Sequence, residues 1–321
     1  MNKIALLIAT HKKYWLPSNP LYFPIHVGAE GKDPLGLIGD NTGNNISKKN
    51  PDYCELTGLY WAWKNIKTDY IGLCHYRRYF DFLRSDDFFL EHEELNPNNT
   101  QEIEKHIQIS SENLIKYFTD GYDIILPKAS YLRISFSGQY KRDHELADLH
   151  LAAQTVNDLF PDYKKSIDII LNGHKIFFKN MFICNWILFD NYMSWLFPIL
   201  DEIETRKTKL QLPYYPRLYG FLSERLFTLY IYHQHLKVKE IPLLTLNESI
   251  KNPYKKILSP RAILARWGQA EHLACRKRLP NVFLRAEART HFPLIGNYAP
   301  LPRLKACTAE NNIRAERDSC N

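Results

Sequence analysis

The sequence has no CxxC pair, and its six cysteines follow no regular spacing. That argues against a zinc ribbon or a disulfide framework and points to a reducing compartment. No stretch offers the ~18 uninterrupted apolar residues that a spanning helix needs. Phe182 to Leu200 comes nearest and is broken by Asn185, Asp190 and Asn191. The opening segment is too short in its apolar part for a secretory leader and runs into Lys12 and Lys13, so it is read as a first strand. The motifs GxGxxG, GxxxxGK[ST], HExxH and GxSxG are missing, which removes the main support for nicotinamide, P-loop, zincin and α/β-hydrolase chemistry. There is no internal repeat. The expectation is a soluble cytoplasmic protein, with peripheral contact at the inner face of the membrane as a variant.

What is present is a chain of 321 residues, 45% hydrophobic and 13% aromatic, long enough for one large α/β domain or one domain plus an appendage. The net charge of +7 is unevenly placed. Residues 261–321 hold 11 Lys and Arg against 5 Asp and Glu, which leaves residues 1–260 at +1. A nucleic-acid partner would rest on the tail alone, so none is expected. Beyond Pro260 the composition turns from Lys, Asn, Ile and Tyr to Arg, Ala, Leu and Pro. A domain over 1–258 is expected, with a basic appendage over 259–321 that is either membrane-apposed or foreign to the domain.

Along the chain, strand and helix signals alternate. Lys3 to Thr10 reads as a buried strand. Gly36 to Lys49 is a Gly/Asn-rich loop ending at Asn50-Pro51, an N-cap followed by proline at the first helical position. Leu56, Leu59, Tyr60, Trp63 and Ile66 then recur at helical spacing. Asp69 to Cys74 is a second buried strand. Asp81 to Asn99 is a polar excursion, followed by a helix near Ser111 to Thr119 and a strand from Tyr122 to Pro127. Arg142 to Phe160 reads as helical, Met181 to Cys184 as a strand, and Asn191 to Arg206 as a helix. Another helix within Arg217 to His233 begins near Ser223-Glu224, and Val238 to Leu246 is a last strand.

The most informative stretch is His75-Tyr76-Arg77-Arg78, at the end of the second strand. In open α/β sheets ligands sit beyond the carboxyl ends of the strands, and these donors and charges suit a phosphate or diphosphate. The alternative is a solvated strand end. Thr10-His11-Lys12 ends the first strand on the same sheet edge. The Gly/Asn loop precedes a helix N-terminus, where free N–H groups favour an anion, although such clusters also serve as plain turns. On the helix read from Arg142, Asp143 and His144 are candidates for catalysis or acceptor binding. Asp148, four residues on from His144, would orient the imidazole; a surface pair is the equal alternative. Glu224, read at a first helical turn among apolar residues, has the setting of a general base, or of an ordinary first-turn carboxylate paired with Arg225 or Arg217.

Taken together, Pro24-Ile-His-Val-Gly28, the Gly39 to Ser47 loop, Tyr53-Cys-Glu-Leu-Thr57, Tyr60-Trp-Ala-Trp-Lys-Asn65 and His75-Tyr-Arg-Arg-Tyr-Phe80 resemble a bacterial family. It was first catalogued as a domain of unknown function and occurs in capsule, exopolysaccharide and O-antigen gene clusters. Its members are taken to be glycosyltransferases, some linked to galactofuranose. The resemblance spans roughly residues 3 to 248. It implies an α/β, GT-A-like Rossmann-type sheet flanked by helices, a UDP-sugar donor and an oligosaccharide or lipid-linked glycan acceptor. Thr10, His11, Lys12, Asn44, Asn45, Ser47 and Asn50 would hold the nucleotide, and His75, Tyr76, Arg77 and Arg78 the diphosphate. Asp143 and His144 would meet the acceptor, with Glu224 as the base of an inverting transfer.

Many such enzymes carry Asp-x-Asp after a central strand, and here His75-Tyr76-Arg77 stands in that place. Cationic side chains replacing carboxylates imply metal-independent chemistry, with a divalent cation left open; Asp86-Asp87 is a poor substitute pair. The rival reading is a non-catalytic glycan-binding or assembly subunit.

Overall fold

A computed structural model describes residues 2–250 and the backbone of residues 255–258. The chain divides into two units, Met1–Gly268 and Gln269–Asn321. The appendage expected over 259–321 lies outside the described residues.

The strands are β1 (Ile4–Thr10), β2 (Tyr22–His26), β3 (Ile38–Gly39), β4 (Tyr70–His75), β5 (Arg78–Phe80), β6 (Leu90–Leu95), β7 (Ile124–Pro127), β8 (Ser130–Tyr131), β9 (Lys175–Ile176), β10 (Phe182–Asn185), β11 (Val238–Ile241), β12 (Leu243–Leu246) and β13 (Lys255–Leu258). The helices are α1 (Asn50–Tyr53), α2 (Leu56–Asn65), α3 (Thr100–Ile107), α4 (Ser111–Thr119), α5 (Phe136–Asp143), α6 (Leu146–Leu159), α7 (Lys164–Asn172), α8 (Trp186–Lys209) and α9 (Leu218–His233). This is the expected α/β class: a central, mainly parallel sheet flanked by helices.

The main sheet runs β3-β2-β1-β4-β10-β7-β11. Its first four strands are mutually parallel, β10 enters antiparallel between β4 and β7, and β11 is parallel to β7. β5 folds back from β4 as a hairpin, pairing His75 with Arg78. It opens a second ledge, in which β12 lies between β5 and β6 and β13 lies beyond β6. The period of two along β1 divides the core: Leu7 and Ala9 face one buried cluster, with α2, α8 and α9, while Leu6 and Ile8 face the other, with α3 and α4.

Four elements differ from their sequence expectations. The helix expected from Pro51 breaks at Cys54, whose φ of 51° ends α1 before α2 begins. Asn50 is the first helical residue, and its amide donates to the Cys54 carbonyl and Thr57 Oγ1 instead of capping. The segment read as a helix from Arg142 is broken at His144, which is extended (φ −148°, ψ 174°) between α5 and α6. The last strand is two strands, because Pro242 has no N–H for a ladder; its carbonyl accepts from Asp81 N. Finally, α9 begins at Leu218, so Glu224 lies well inside the helix and not in its first turn. Gly220 does not delay the helix start; it lets the helix approach α1 closely, since a Cβ there would stand 3.0 Å from Cys54 Sγ.

The Gly/Asn loop is organised from within by Asp40. Its buried carboxylate accepts from Gly28 N (2.7 Å), Ala29 N (3.0 Å), Ser47 Oγ and Thr57 Oγ1. Asp40→Ala strands the Gly28 and Ala29 amides and takes one bond each from Ser47 and Thr57, so it should cost about 3 kcal/mol or more. Urea denaturation tests this; a loss under about 1 kcal/mol would mean that water substitutes freely.

Candidate active site

Parallel register places the carboxyl ends of three strands side by side, with Thr10 opposite His26 and Ala9 opposite His75. Thr10-His11-Lys12 and His75-Tyr76-Arg77-Arg78 therefore share one sheet edge. Thr10 is buried, and its hydroxyl donates to the Lys12 carbonyl (2.6 Å), shaping the turn. The Tyr76 ring gathers the cations: the ring centroids of His11 and Tyr14 lie 5.2 and 5.0 Å away, Lys12 Nζ 5.5 Å and the Arg77 guanidinium 5.1 Å. Burial, then Lys12, lowers the His11 pKa, so its ring is neutral at pH 7.

The asparagine loop follows β3 on the same side of the fold, and its side chains bond largely within the loop and to α2. Asn65 binds both the backbone N and O of Asn44, whose own side chain accepts from Tyr60 OH. Asn45 closes the turn to Gly43 O and Ser47 N, and Ser47 is buried on Asp40. Asn44, Asn45, Ser47 and Asn50 thus shape the loop through their own hydrogen bonds, with Asn44 exposed and Asn45 and Asn50 half-buried.

A cluster centred on Lys179 and Asn180 was not visible in the sequence. Both residues have left-handed backbone, at φ 83° and 53°. Glu224 Oε1 accepts from Lys179 N (2.6 Å), and the Lys179 carbonyl lies 2.8 Å from His75 Nε2. A carbonyl only accepts, so Nε2 carries the hydrogen. Burial lowers the His75 pKa, leaving a neutral ring with a lone pair at Nδ1. The Asn180 amide donates to Glu55 Oε1 (2.8 Å), Ser223 Oγ (2.9 Å) and the Gly220 carbonyl (3.3 Å). Burial lowers the Arg78 pKa, with Arg77 adding to it and Glu55 and Glu224 opposing it. Lys179 is likewise lowered by burial, then by Arg78.

Glu224 is 15% exposed at its side chain, and Oε2 accepts from Arg225 NH1 at 2.7 Å. Burial raises its pKa against the pull of Arg225 and the Lys179 amide. Arg225 is buried between the Tyr140 and Phe178 rings and donates to Gln139 Oε1. Gln139 in turn donates to Asp143 Oδ2 at 2.6 Å. Asp143, chelated by Arg142, is held down to about 2. The His144 ring packs against Tyr140 and Phe221, and burial followed by Arg225 lowers its pKa. Glu224, Asp143 and His144 are therefore joined through Arg225, while Asp148 pairs with Lys207 rather than with the imidazole it was expected to orient.

A recess of about 400 Å³ at Lys3, Lys67, Asp69 and Trp186 lies at the opposite, amino end of β1 and β4 and takes no part. Among the described residues no helix is long and apolar enough to cross a membrane. Among the described residues one three-residue group could hold a metal ion, Asp81, Glu93 and His106, and it shares no residue with this cluster.

A family model described as "Domain of unknown function (DUF4422)" matches residues 5–235. The chain belongs to the DUF4422 family. No curated protein matches it. Among solved structures, one titled "WbbM bifunctional glycosytransferase apo structure" is similar at 30% identity and a TM-score of 0.69, covering 78% of this chain and 46% of that one. The DUF4422 chain thus spans less than half of that protein's length and shares its GT-A-type fold.

The left-handed pair should be strained unless glycine occupies it. Lys179→Gly should change stability by less than about 1 kcal/mol, because relief of strain offsets added unfolded-state entropy. Lys179→Val should cost about 2 kcal/mol or more. Equal losses in thermal melts would show that the bend carries no strain.

Proposed function

We propose that this DUF4422 domain is a glycosyltransferase that moves a hexosyl group, galactofuranose by the family resemblance, from a UDP-sugar to a surface-glycan acceptor. The observation that carries this reading is the meeting, at one strand edge, of a cation-rich hairpin with a part-buried carboxylate whose pKa is raised. The similarity to a bifunctional glycosyltransferase supports it.

In this reading the acceptor hydroxyl gives its proton to Glu224 as its oxygen bonds to the anomeric carbon. The bond from that carbon to the β-phosphate oxygen breaks, and the nucleoside diphosphate leaves with the electron pair. Direct displacement inverts the centre. Glu224 suits the task better than Asp143: a raised pKa makes a stronger base, whereas Asp143 is held near 2. Each Glu224 oxygen accepts one hydrogen bond and has a second lone pair. Arg77 and Arg78, with Lys12 and Lys179 near them, neutralise charge growing on the diphosphate, the task a divalent ion performs elsewhere.

Arg77→Ala and Arg78→Ala should each cut kcat by roughly 10²-fold while the protein still melts cooperatively. Calorimetry should give the same UDP Kd with Mg²⁺, Mn²⁺ or no divalent ion; tightening beyond about 10-fold by an ion would place a metal on the diphosphate.

Glu224→Gln should lower kcat by ~10² to 10⁴ with little change in donor affinity. In the parent enzyme kcat/KM should fall as pH drops through a pKa above the ordinary carboxylate range, since the base must be deprotonated. The residual rate of the variant should lose that limb. Near-normal transfer by Glu224→Gln would move the base to Asp143 or His144, and donor binding without any transfer by the parent protein would favour a glycan-binding subunit.

A further inference from the structure

Beneath the ledge, away from the residues assigned above, three side chains from separate elements converge: Asp81 just after β5, Glu93 on β6 and His106 on α3. Each offers a ligand atom, and these atoms all lie within 4.8 Å of one another. Asp81 and Glu93 are fully buried and His106 is 1% exposed. Among the described residues, neither oxygen of Glu93 has a hydrogen-bond partner, nor has Asp81 Oδ2. Among the described residues, no lysine or arginine pairs with either carboxylate. His106 Nδ1 is 3.0 Å from Asp81 Oδ1 but not aligned for a hydrogen bond, and Nε2 faces Glu102 Oε1 at 3.6 Å.

Two buried carboxylates with unused oxygens are costly. The effective penalty is several kcal/mol per ion unless opposite charge and directed ligands compensate. A protonated imidazole supplies one positive charge against two negative ones and leaves Glu93 without a hydrogen bond. A divalent cation supplies both charges and takes the unused lone pairs. A bound cation would take the Nδ1 lone pair and leave the hydrogen on Nε2, on the side of Glu102 Oε1, an arrangement common behind metal-bound histidines. Tetrahedral ligands at bond lengths of about 2.0–2.2 Å stand about 3.3–3.6 Å apart, so closing the group takes a contraction of about 1 Å, within the reach of side-chain rotation. One imidazole and two carboxylates suit a first-row divalent ion such as Zn²⁺ better than Ca²⁺, which takes six to eight oxygens.

We propose that Asp81, Glu93 and His106 form a structural binding site for a divalent transition-metal ion, Zn²⁺ first. The ion ties β5, β6 and α3 together. Asp81 lies three residues past Arg78, so the ion anchors the far end of the strand that carries the arginine hairpin. This inference does not depend on the transferase reading.

The test uses the full-length, tag-free protein after exhaustive chelation, titrated with ZnCl₂ by calorimetry and followed by thermal melting. One equivalent should bind with a Kd below about 1 µM and raise Tm. Glu93→Gln and His106→Gln should each weaken binding at least ~100-fold. Both variants should keep the parent's circular dichroism, and in neither should ZnCl₂ raise Tm. Co²⁺ in the parent should give visible bands of nitrogen and oxygen coordination without thiolate charge transfer, and His106→Gln should alter them. The proposal is overturned if no Zn²⁺ binds, if binding survives both substitutions unchanged, or if the cobalt spectrum shows thiolate ligation. It is overturned equally if lowering the pH stabilises the chelated protein as much as Zn²⁺ does, because a shared proton would then neutralise the group.

Discussion

The left-handed turn at Lys179 and Asn180 is the constraint on which the site depends. Two consecutive non-glycine residues with positive φ cost on the order of 1–3 kcal/mol each, so the turn persists only because its surroundings hold it. Glu224 accepts its first amide, His75 receives its carbonyl and Asn180 clamps Glu55 and Ser223. In return the turn delivers β10 antiparallel between β4 and β7 and brings residues from α2, β4 and α9 within bonding distance. The fold and the site share one set of hydrogen bonds.

Charge at the edge is arranged in two tiers. Lys12 and Arg77 are exposed and stack around Tyr76, where salt screens them and they can turn towards an incoming anion. Arg78, Lys179, Glu55 and Glu224 lie deeper, where each ionised group leans on another of opposite sign. The Arg225 guanidinium, held between two rings, fixes Glu224 from behind while Gln139 passes the connection to Asp143. A carboxylate so held has little freedom to reorganise, which is what preorganised chemistry needs.

Much of the frame was legible in the sequence. The apolar runs of β1 and β4 and the cationic cluster at His75 to Arg78 could be read from residue type and spacing, and parallel pairing placed their ends together. The family resemblance gave the sheet class. Three features were not legible, each for a physical reason. Backbone strain at Cys54 and Lys179 leaves no compositional mark, because neither residue is a glycine. The break at His144 lies inside a stretch of helical periodicity, which hid that His144 and Asp148 do not share one helix. Asp81, Glu93 and His106 are far apart in sequence, with no ligand spacing, and only the packing of α3 on the ledge brings them together. The internal bonding of the Asn44 to Asn50 loop was not legible either, because turn residues and anion-cradle residues are the same amino acids.

The antiparallel strand β10 has a consequence for how the chain acquires its structure. His75 finds its carbonyl partner 104 residues later, and β4 and β7 stay unjoined until Phe182–Asn185 slides between them. Pairing over such distances is slow. A growing chain of the first 170 residues would carry two apolar strands with open edges, the form most prone to pair with a neighbouring copy. Yield of the folded protein is then governed by how quickly the central strand closes the gap, and slower synthesis or lower temperature favours the native molecule over aggregates.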